Sequence, residues 1–146
     1  MHLEENIIIK LGREIAGRGF KEVLSSDDSS AFRLGKYLVV LNIDTFDETT
    51  DWLPGMTVYD VGWKSVISSV SDVLVKGAKP LGVMVSLGVP RNLDLSEIKG
   101  FYEGLRDACR SYNLGFWGGD VNESRSFYAS VVSVGVAERV IPRSGA

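Results

Sequence analysis

Aspartates recur along this chain beside small residues or at the ends of apolar runs. They are Asp27 and Asp28 in the stretch SSDDSS (25–30), Asp44 after YLVVLNI, Asp72 in a serine-rich segment, and Asp120 after two glycines. Carboxylate oxygens are the ligands that Mg²⁺ prefers, usually alongside substrate phosphates. Clustered carboxylates repel one another, and a bound divalent cation relieves that repulsion. If the fold gathers these residues, the pattern predicts a divalent-cation site.

Each aspartate taken alone also has an ordinary structural explanation. Asp44 fits a turn at the end of a strand, and Asp120 fits a solvated residue after a glycine turn. An Asp pair among serines usually forms a turn or a helix cap. Asp72 fits a helix that packs against a neighbour. Only the combination favours a ligand site, because all four positions lie where α/β folds place their ligands.

The segment around Asp72 is predicted to be a helix over residues 59–77. Its apolar stripe is Trp63, Val66, Ile67, Val70, Val73 and Leu74. The face opposite Trp63, Val70 and Leu74 carries three serines and one carboxylate, namely Ser65, Ser68, Ser69 and Asp72. Small side chains permit the close approach of another element or of a ligand.

Other elements follow from periodicity and from start and stop signals. Further helices are predicted over 4–17 and 94–112, with Asp94 as an N-cap and Leu95, Ile98, Leu105 and Cys109 facing inward. Strands are predicted over 37–46, 81–89, 115–117 and 127–138, with a loop over 47–56. Alternation places Asp44 on the strand face of Leu38, Val40 and Asn42. The fold class is α/β or α+β, with helices packed on a sheet.

Composition and missing motifs exclude several functions. The net charge of -3 over 146 residues indicates no general attraction to nucleic acid, and no apolar run approaches the roughly 20 residues of a membrane span. The single histidine, His2, argues against a Ser-His-Asp or Cys-His site. The segment Gly62–Ser65 fails the phosphate-loop pattern. The lone Cys109 cannot form an internal disulfide and fits a reducing cytoplasm.

Three blocks make the chain recognisable. SDVLVKGAKP (71–80), GGDVNES (118–124) and RSGA (143–146) resemble signature blocks of thiamine-monophosphate kinase, within the aminoimidazole-ribonucleotide-synthetase-like superfamily. DDSSA (27–31) and IDTF (43–46) match its first two blocks in order and spacing. The resemblance extends from about Glu4 to Ala146. It implies transfer of the ATP γ-phosphoryl group to thiamine monophosphate, giving thiamine diphosphate, with several Mg²⁺ ions and ATP as co-substrate.

The resemblance also implies site residues. Those matching the family's metal-binding positions are Asp27, Asp44, Asp72 and Asp120, with Asn42, Ile43 and Asp28 in supporting places. Those matching nucleotide-binding positions are Tyr102, Gly119, Asp120 and Arg143. Asp51 stands where the family often has a substrate-contacting His, Ile43 where it usually has Thr, and Ser26 where it usually has Gly. All four metal-matching aspartates are retained.

No catalytic base is expected. A phosphate monoester has a second pKa of about 6, so it is largely ionised at neutral pH. Phosphoryl transfer depends chiefly on positioning and electrostatic stabilisation. The acceptor therefore needs no residue to remove its proton, and metal ions neutralise the repulsion between two phosphates.

The family continues past this point into a second α/β domain. Residues 1–146 are accordingly expected to be the N-terminal ATP- and Mg²⁺-binding domain, which forms a cytoplasmic homodimer through its mixed sheet. Two alternatives stay open. One is another enzyme of the superfamily, either a purine-synthesis ATP-dependent ligase or a hydrogenase-maturation protein that activates a carboxamide. The other is a non-catalytic, divalent-cation-binding dimerisation domain.

Overall fold

The computed structural model describes residues 5–17 and 29–138. Within these ranges the elements follow one another in a mixed order of helices and strands. They are α1 (Glu5–Ala16), β1 (Ser29–Leu34), β2 (Tyr37–Asp47), α2 (Glu48–Asp51), α3 (Val58–Val75), β3 (Lys79–Val89), α4 (Leu95–Ser111), β4 (Gly115–Glu123) and β5 (Tyr128–Ala137). No helix in these ranges is long and apolar enough to cross a membrane.

The five strands form one mixed sheet in the order β1-β2-β5-β3-β4. The pairs β1–β2, β2–β5 and β3–β5 are antiparallel, whereas β3–β4 is parallel. A parallel pair needs a crossover connection, and α4 supplies it between β3 and β4. The predicted fold class, a mixed sheet flanked by helices, is confirmed.

Helices α3 and α4 pack on one face of the sheet and enclose the core. Buried residues on that face include Val66, Val70, Val83, Val85, Leu87, Phe101, Leu105, Ala129 and Val131. On the other face, one row of paired residues runs across three strands from Ile43 through Val132 to Met84. Ile43 is 60% exposed and Met84 is 44% exposed. No described helix covers this apolar row.

Two glycines let α3 and α4 cross at close range. A Cβ at Gly62 would lie 2.0 Å from the carbonyl oxygen of Phe101, and one at Gly104 would lie 2.0 Å from that of Tyr59. The Tyr59 hydroxyl donates to Asp107 Oδ2 at 2.6 Å across the same pair of helices. That bond raises the pKa of Tyr59 and lowers the pKa of Asp107. The contact fixes α3 against α4 and thereby sets how α3 lies on the sheet.

Five details of the prediction were wrong. Strand β1 was missed, β4 extends to Glu123, and the predicted loop over 47–56 contains the short helix α2. Leu74 and Leu95, expected to face inward, are 43% and 81% exposed. Leu95 is the first residue of α4. On α3, Ser65 and Ser69 occupy the arc that faces the sheet, so Leu74 is turned outward.

Candidate functional site

A polar cleft of about 140 Å³ lies where the end of β2 meets α2 and α3. Its lining consists of Asp44, Thr45, Phe46, Asp51, Lys64, Ser65 and Ser68. Asp44 and Asp51 are both predicted site residues, and the fold brings them to one place. Carboxylates and hydroxyls are hard oxygen donors, which is the donor set that suits Mg²⁺. The types of donor atom in the cleft therefore fit the predicted metal.

Alternation along β2 explains the orientation of Asp44. Leu38, Val40 and Asn42 are each at most 3% exposed, and Asp44 is the next residue on their face. The predicted face is thus confirmed. Asp44 is half-buried, and its Oδ1 accepts the Thr45 backbone N–H at 2.9 Å. Ile43 points to the opposite face of the sheet, and its hydrocarbon side chain offers no ligand atom.

Helix α2 holds Asp51 in the lining of the cleft. Asp51 Oδ2 accepts the backbone N–H of Asp47 at 2.8 Å. Asp47 caps the helix, because its Oδ1 accepts from the Thr49 hydroxyl at 2.7 Å and from the Thr49 N–H at 2.9 Å. These hydrogen bonds, the hydroxyl first, hold the pKa of Asp47 below its ordinary value. Glu48 Oε1 accepts the Phe127 N–H at 2.8 Å, which ties α2 to the start of β5.

A buried polar network sets the rotation of α3. Ser69 is fully buried, and its hydroxyl donates to the carbonyl oxygen of Val131 at 3.0 Å. The Ser133 hydroxyl donates to the Ser69 carbonyl oxygen at 2.9 Å, and Asn42 Nδ2 donates to it at 3.3 Å. Asn42 Oδ1 accepts from Ser29 at 3.1 Å. Asn42, a predicted metal-site residue, therefore has its side chain engaged within the core.

The predicted serine face of α3 has two roles. Ser65 and Ser69 pack inward, and Ser65 donates to the Val61 carbonyl oxygen at 2.6 Å. Ser68 instead lines the cleft. Asp72 lies at the i+4 position from Ser68, and is half-buried on the same side of the helix. The packing explanation for this face is thus confirmed for Ser65 and Ser69, whereas the ligand explanation for Ser68 and Asp72 stays a prediction.

A second group of predicted residues gathers around β4. Asp44, Val131, Val85 and Gly119 form one row of paired residues across β2, β5, β3 and β4. Three inter-strand spacings place Asp44 and Gly119 about 14 Å apart. Mg²⁺ binds its oxygen ligands at about 2.1 Å. Asp44 and Asp120 of one chain therefore cannot bind the same ion.

Strand β4 needs glycine at its bulge. The β3–β4 register shifts between the pairs Val83–Phe116 and Val85–Gly119, and Gly118 and Gly119 have φ values of 82° and 152°. A Cβ at Gly119 would lie 1.7 Å from the Val85 carbonyl oxygen. Asp120 follows on the exposed edge of the sheet and accepts from Asn122 Nδ2 at 3.1 Å.

Tyr102 belongs to this second group. Its ring meets Phe116 of β4 at 6.1 Å and Phe101 at 5.6 Å, both edge-on. The structure thus separates the predicted positions into two sets. Tyr102, Gly119 and Asp120 lie around β4, whereas Asp44, Asp51 and Asp72 lie around β2 and α3.

Asp27, Asp28 and Arg143 lie outside the described residues. Within 5–17 and 29–138, no group of three or more Asp, Glu, His or Cys side chains is close enough to hold a metal ion. The prediction of a metal cluster therefore stays a prediction.

Sequence reasoning missed Lys64, Thr45 and Phe46 as parts of the cleft. In the sequence, Lys64 lies within the segment Gly62–Ser65, which fails the phosphate-loop pattern. A signal was available, because Lys64, Ser68 and Asp72 follow one another at i, i+4 and i+8 along α3. The missing information was the rotation of α3 about its axis.

Residues 26–137 match the family model for AIR synthase related protein, N-terminal domain. Thiamine-monophosphate kinase of Nitrosopumilus maritimus (strain SCM1) is 32% identical over 143 residues, which is 98% of this chain and 44% of that protein. The solved structure of AaThiL complexed with AMPPCP and TMP has a TM-score of 0.88 at 30% identity, covering 100% of this chain and 47% of that one. A HypE–HypF complex shares the fold alone, with a TM-score of 0.70 at 18% identity over 89% of this chain and 42% of that chain. The chain spans less than half the length of these proteins.

Proposed function

Because this chain belongs to the AIR synthase related protein family, as an N-terminal domain, we propose that it is the ATP- and Mg²⁺-binding half of a thiamine-monophosphate kinase. One observation carries the proposal. The cleft joining Asp44 to Asp51 lies in a chain that superposes over its whole length on a structure complexed with AMPPCP and TMP. The reaction is transfer of the γ-phosphoryl group of ATP to the phosphate of thiamine monophosphate.

The two sets of residues suggest two roles. Asp44 and Asp72 hold Mg²⁺ beside the cleft, and Asp51 contacts the acceptor. Tyr102 and Gly119 contact the nucleotide, and Asp120 binds a separate ion, because the row from Asp44 to Gly119 is about 14 Å long. The Mg²⁺ ions neutralise charge between the two phosphates when bound. Sequence resemblance adds Asp27 and Asp28 to the metal site and Arg143 to the nucleotide site.

The chain's own residues contribute mainly by positioning. Asn42 belongs to the metal region, and its bond to the Ser69 carbonyl oxygen locks β2 against α3. The carboxylates of Asp44 and Asp72 are thereby kept on two facing elements. No residue in the cleft is needed as a base, because the acceptor phosphate is already ionised.

We further propose that a second copy of the chain covers the bare face of the sheet. The row Ile43–Val132–Met84 is apolar and crosses three strands, with Trp117 48% exposed nearby on β4. Contiguous exposed apolar residues on a sheet face are typical of protein–protein interfaces. A homodimer that stacks two such sheets would bury it.

The test is product formation. Incubation of a full-length protein, which carries the second domain of the family as well as this half, with ATP, Mg²⁺ and thiamine monophosphate is expected to yield thiamine diphosphate and ADP, detected by chromatography. Omitting Mg²⁺ or substituting Asp72→Asn abolishes the product, whereas Glu97→Gln, on the exposed first turn of α4, leaves it unchanged. Turnover of a purine-synthesis intermediate or a carbamoyl substrate instead would reject the assignment.

A further inference from the structure

The cleft contains one basic side chain among its lining residues. Asp44 and Asp51 contribute two negative charges and Lys64 contributes one positive charge, so the lining is left with a net charge of −1. Such a surface repels a phosphate dianion unless cations accompany it. Lys64 is the group in this lining that can attract a phosphate directly.

Lys64 is held in place by helix α3 and by an aromatic ring. A capping box fixes the start of α3, since Thr57 Oγ1 accepts the Asp60 N–H at 3.2 Å and Asp60 Oδ2 accepts the Thr57 N–H at 2.9 Å. The Lys64 ammonium lies 6.0 Å from the centroid of Phe46, a ring that is 5% exposed. Phe46 is itself fixed by an edge-on contact with Trp52. The ammonium is thus kept beside the cleft by a cation–π contact.

The ammonium makes no ion pair with either acid of the cleft. Within 5–17 and 29–138, the ion pairs closer than 4.0 Å that involve described partners are Arg91–Glu123 and Arg106–Asp107. A lysine whose purpose was to neutralise Asp44 or Asp51 would approach one of them. The three donors of the ammonium are therefore available to a ligand.

We propose that Lys64 binds the phosphate of the acceptor, a phosphate monoester, inside this cleft. The inference rests on the proposed function and names the group that recognises its substrate. The acceptor is favoured over the nucleotide because Asp51, the predicted substrate contact, lines the same cleft. The predicted nucleotide contacts among the described residues, Tyr102, Gly119 and Asp120, lie three strands away, around β4. An ammonium suits this role because it binds phosphate as a compact point charge.

Calorimetric titration of the protein, with Mg²⁺ present, separates recognition of the phosphate from recognition of the rest of the ligand. Lys64→Gln is expected to weaken the binding of thiamine monophosphate about tenfold or more, because a hydrogen bond to a charged group is lost. Affinity for thiamine, which lacks the phosphate, and for Mg-ATP stays unchanged. Lys64→Arg retains most of the affinity, and Lys99→Gln, a matched exposed lysine on α4, behaves as wild type.

The outcomes distinguish this inference from the proposed function. The role of Lys64 would be overturned if Lys64→Gln weakened the binding of thiamine and of thiamine monophosphate equally, or weakened neither. If the wild-type protein binds no thiamine compound, the kinase assignment fails, and inorganic phosphate with Mg²⁺ becomes the probe. The inference is still supported if the wild type and Lys99→Gln bind phosphate and Lys64→Gln does not. It is refuted if the wild-type protein binds no phosphate. Thermal melting of each variant shows whether its fold is intact.

Discussion

The close crossing of α3 and α4 predicts that Gly62→Ala destabilises the protein although alanine is the better helix former. The added Cβ would lie 2.0 Å from the Phe101 carbonyl oxygen, whereas such contacts essentially never fall below 3.0 Å. The two backbones must therefore separate by about 1 Å. Overpacking against main chain costs about 3 kcal/mol, and helix propensity returns about 1 kcal/mol. The expected loss in the free energy of unfolding is about 2 kcal/mol.

Urea denaturation followed by circular dichroism measures this loss. Gly12→Ala is the matched control, because Gly12 also lies inside a helix and a Cβ there meets nothing within 4 Å. It is expected to leave stability unchanged or to raise it by up to about 1 kcal/mol. Gly62→Ala and Gly104→Ala force the same helix separation, so the double variant should lose less than the sum of the two single losses. Equal effects of Gly62→Ala and Gly12→Ala would refute the close crossing.

Three further predictions concern stability at acid pH, the bulge in β4 and the exposed apolar face of the sheet. The pKa of Asp47 is lowered in the folded state, so its stabilising contribution is present above the unfolded pKa of about 4 and is lost as the pH falls through the folded pKa. Denaturant titrations at pH 6 and pH 3 should therefore show that Asp47→Asn loses less free energy of unfolding on acidification than the wild type does. An identical loss in the two proteins would contradict this. Gly119 has a φ of 152°, and the Cβ of an alanine there would lie 1.7 Å from the Val85 carbonyl oxygen. Gly119→Ala should therefore weaken Mg-ATP binding in calorimetry while thiamine binding persists. Unaltered Mg-ATP affinity would show that the bulge does not shape the proposed nucleotide site. Ile43→Asp should convert a dimer to a folded monomer in sedimentation velocity, with Leu95→Asp, also exposed, as the control; a monomeric wild type would rule out the sheet interface.

The sequence predicted those features that depend on local pattern. The alternation of β2 fixed the shared face of Asn42 and Asp44, and the capping signal at Asp94 fixed the start of α4, where its Oδ1 accepts the Ser96 N–H at 3.4 Å. Both features involve residues a few positions apart, so local periodicity and capping chemistry were sufficient.

Features set by distant contacts were not predictable in this way. Strand β1 begins with serines that pattern reasoning reads as a turn, yet Ser29 is fully buried because it bonds Asn42. Helix α2 has four residues and depends on the contact between Glu48 and Phe127, which are 79 positions apart. The rotation of α3, which brings Lys64 into the cleft, depends on the bonds of Ser69 to the sheet.

The central claim is that Asp44 holds Mg²⁺ for phosphate binding in the cleft between β2 and α3. Its most direct test is calorimetric titration of thiamine monophosphate across a Mg²⁺ series, comparing the wild-type protein with Asp44→Asn and with the exposed control Glu97→Gln. Loss of a metal-site residue is expected to weaken the Mg²⁺-dependent affinity at least about tenfold in Asp44→Asn, while Glu97→Gln matches the wild type. A wild-type isotherm that does not respond to Mg²⁺, or an Asp44→Asn isotherm identical to it, would contradict the claim.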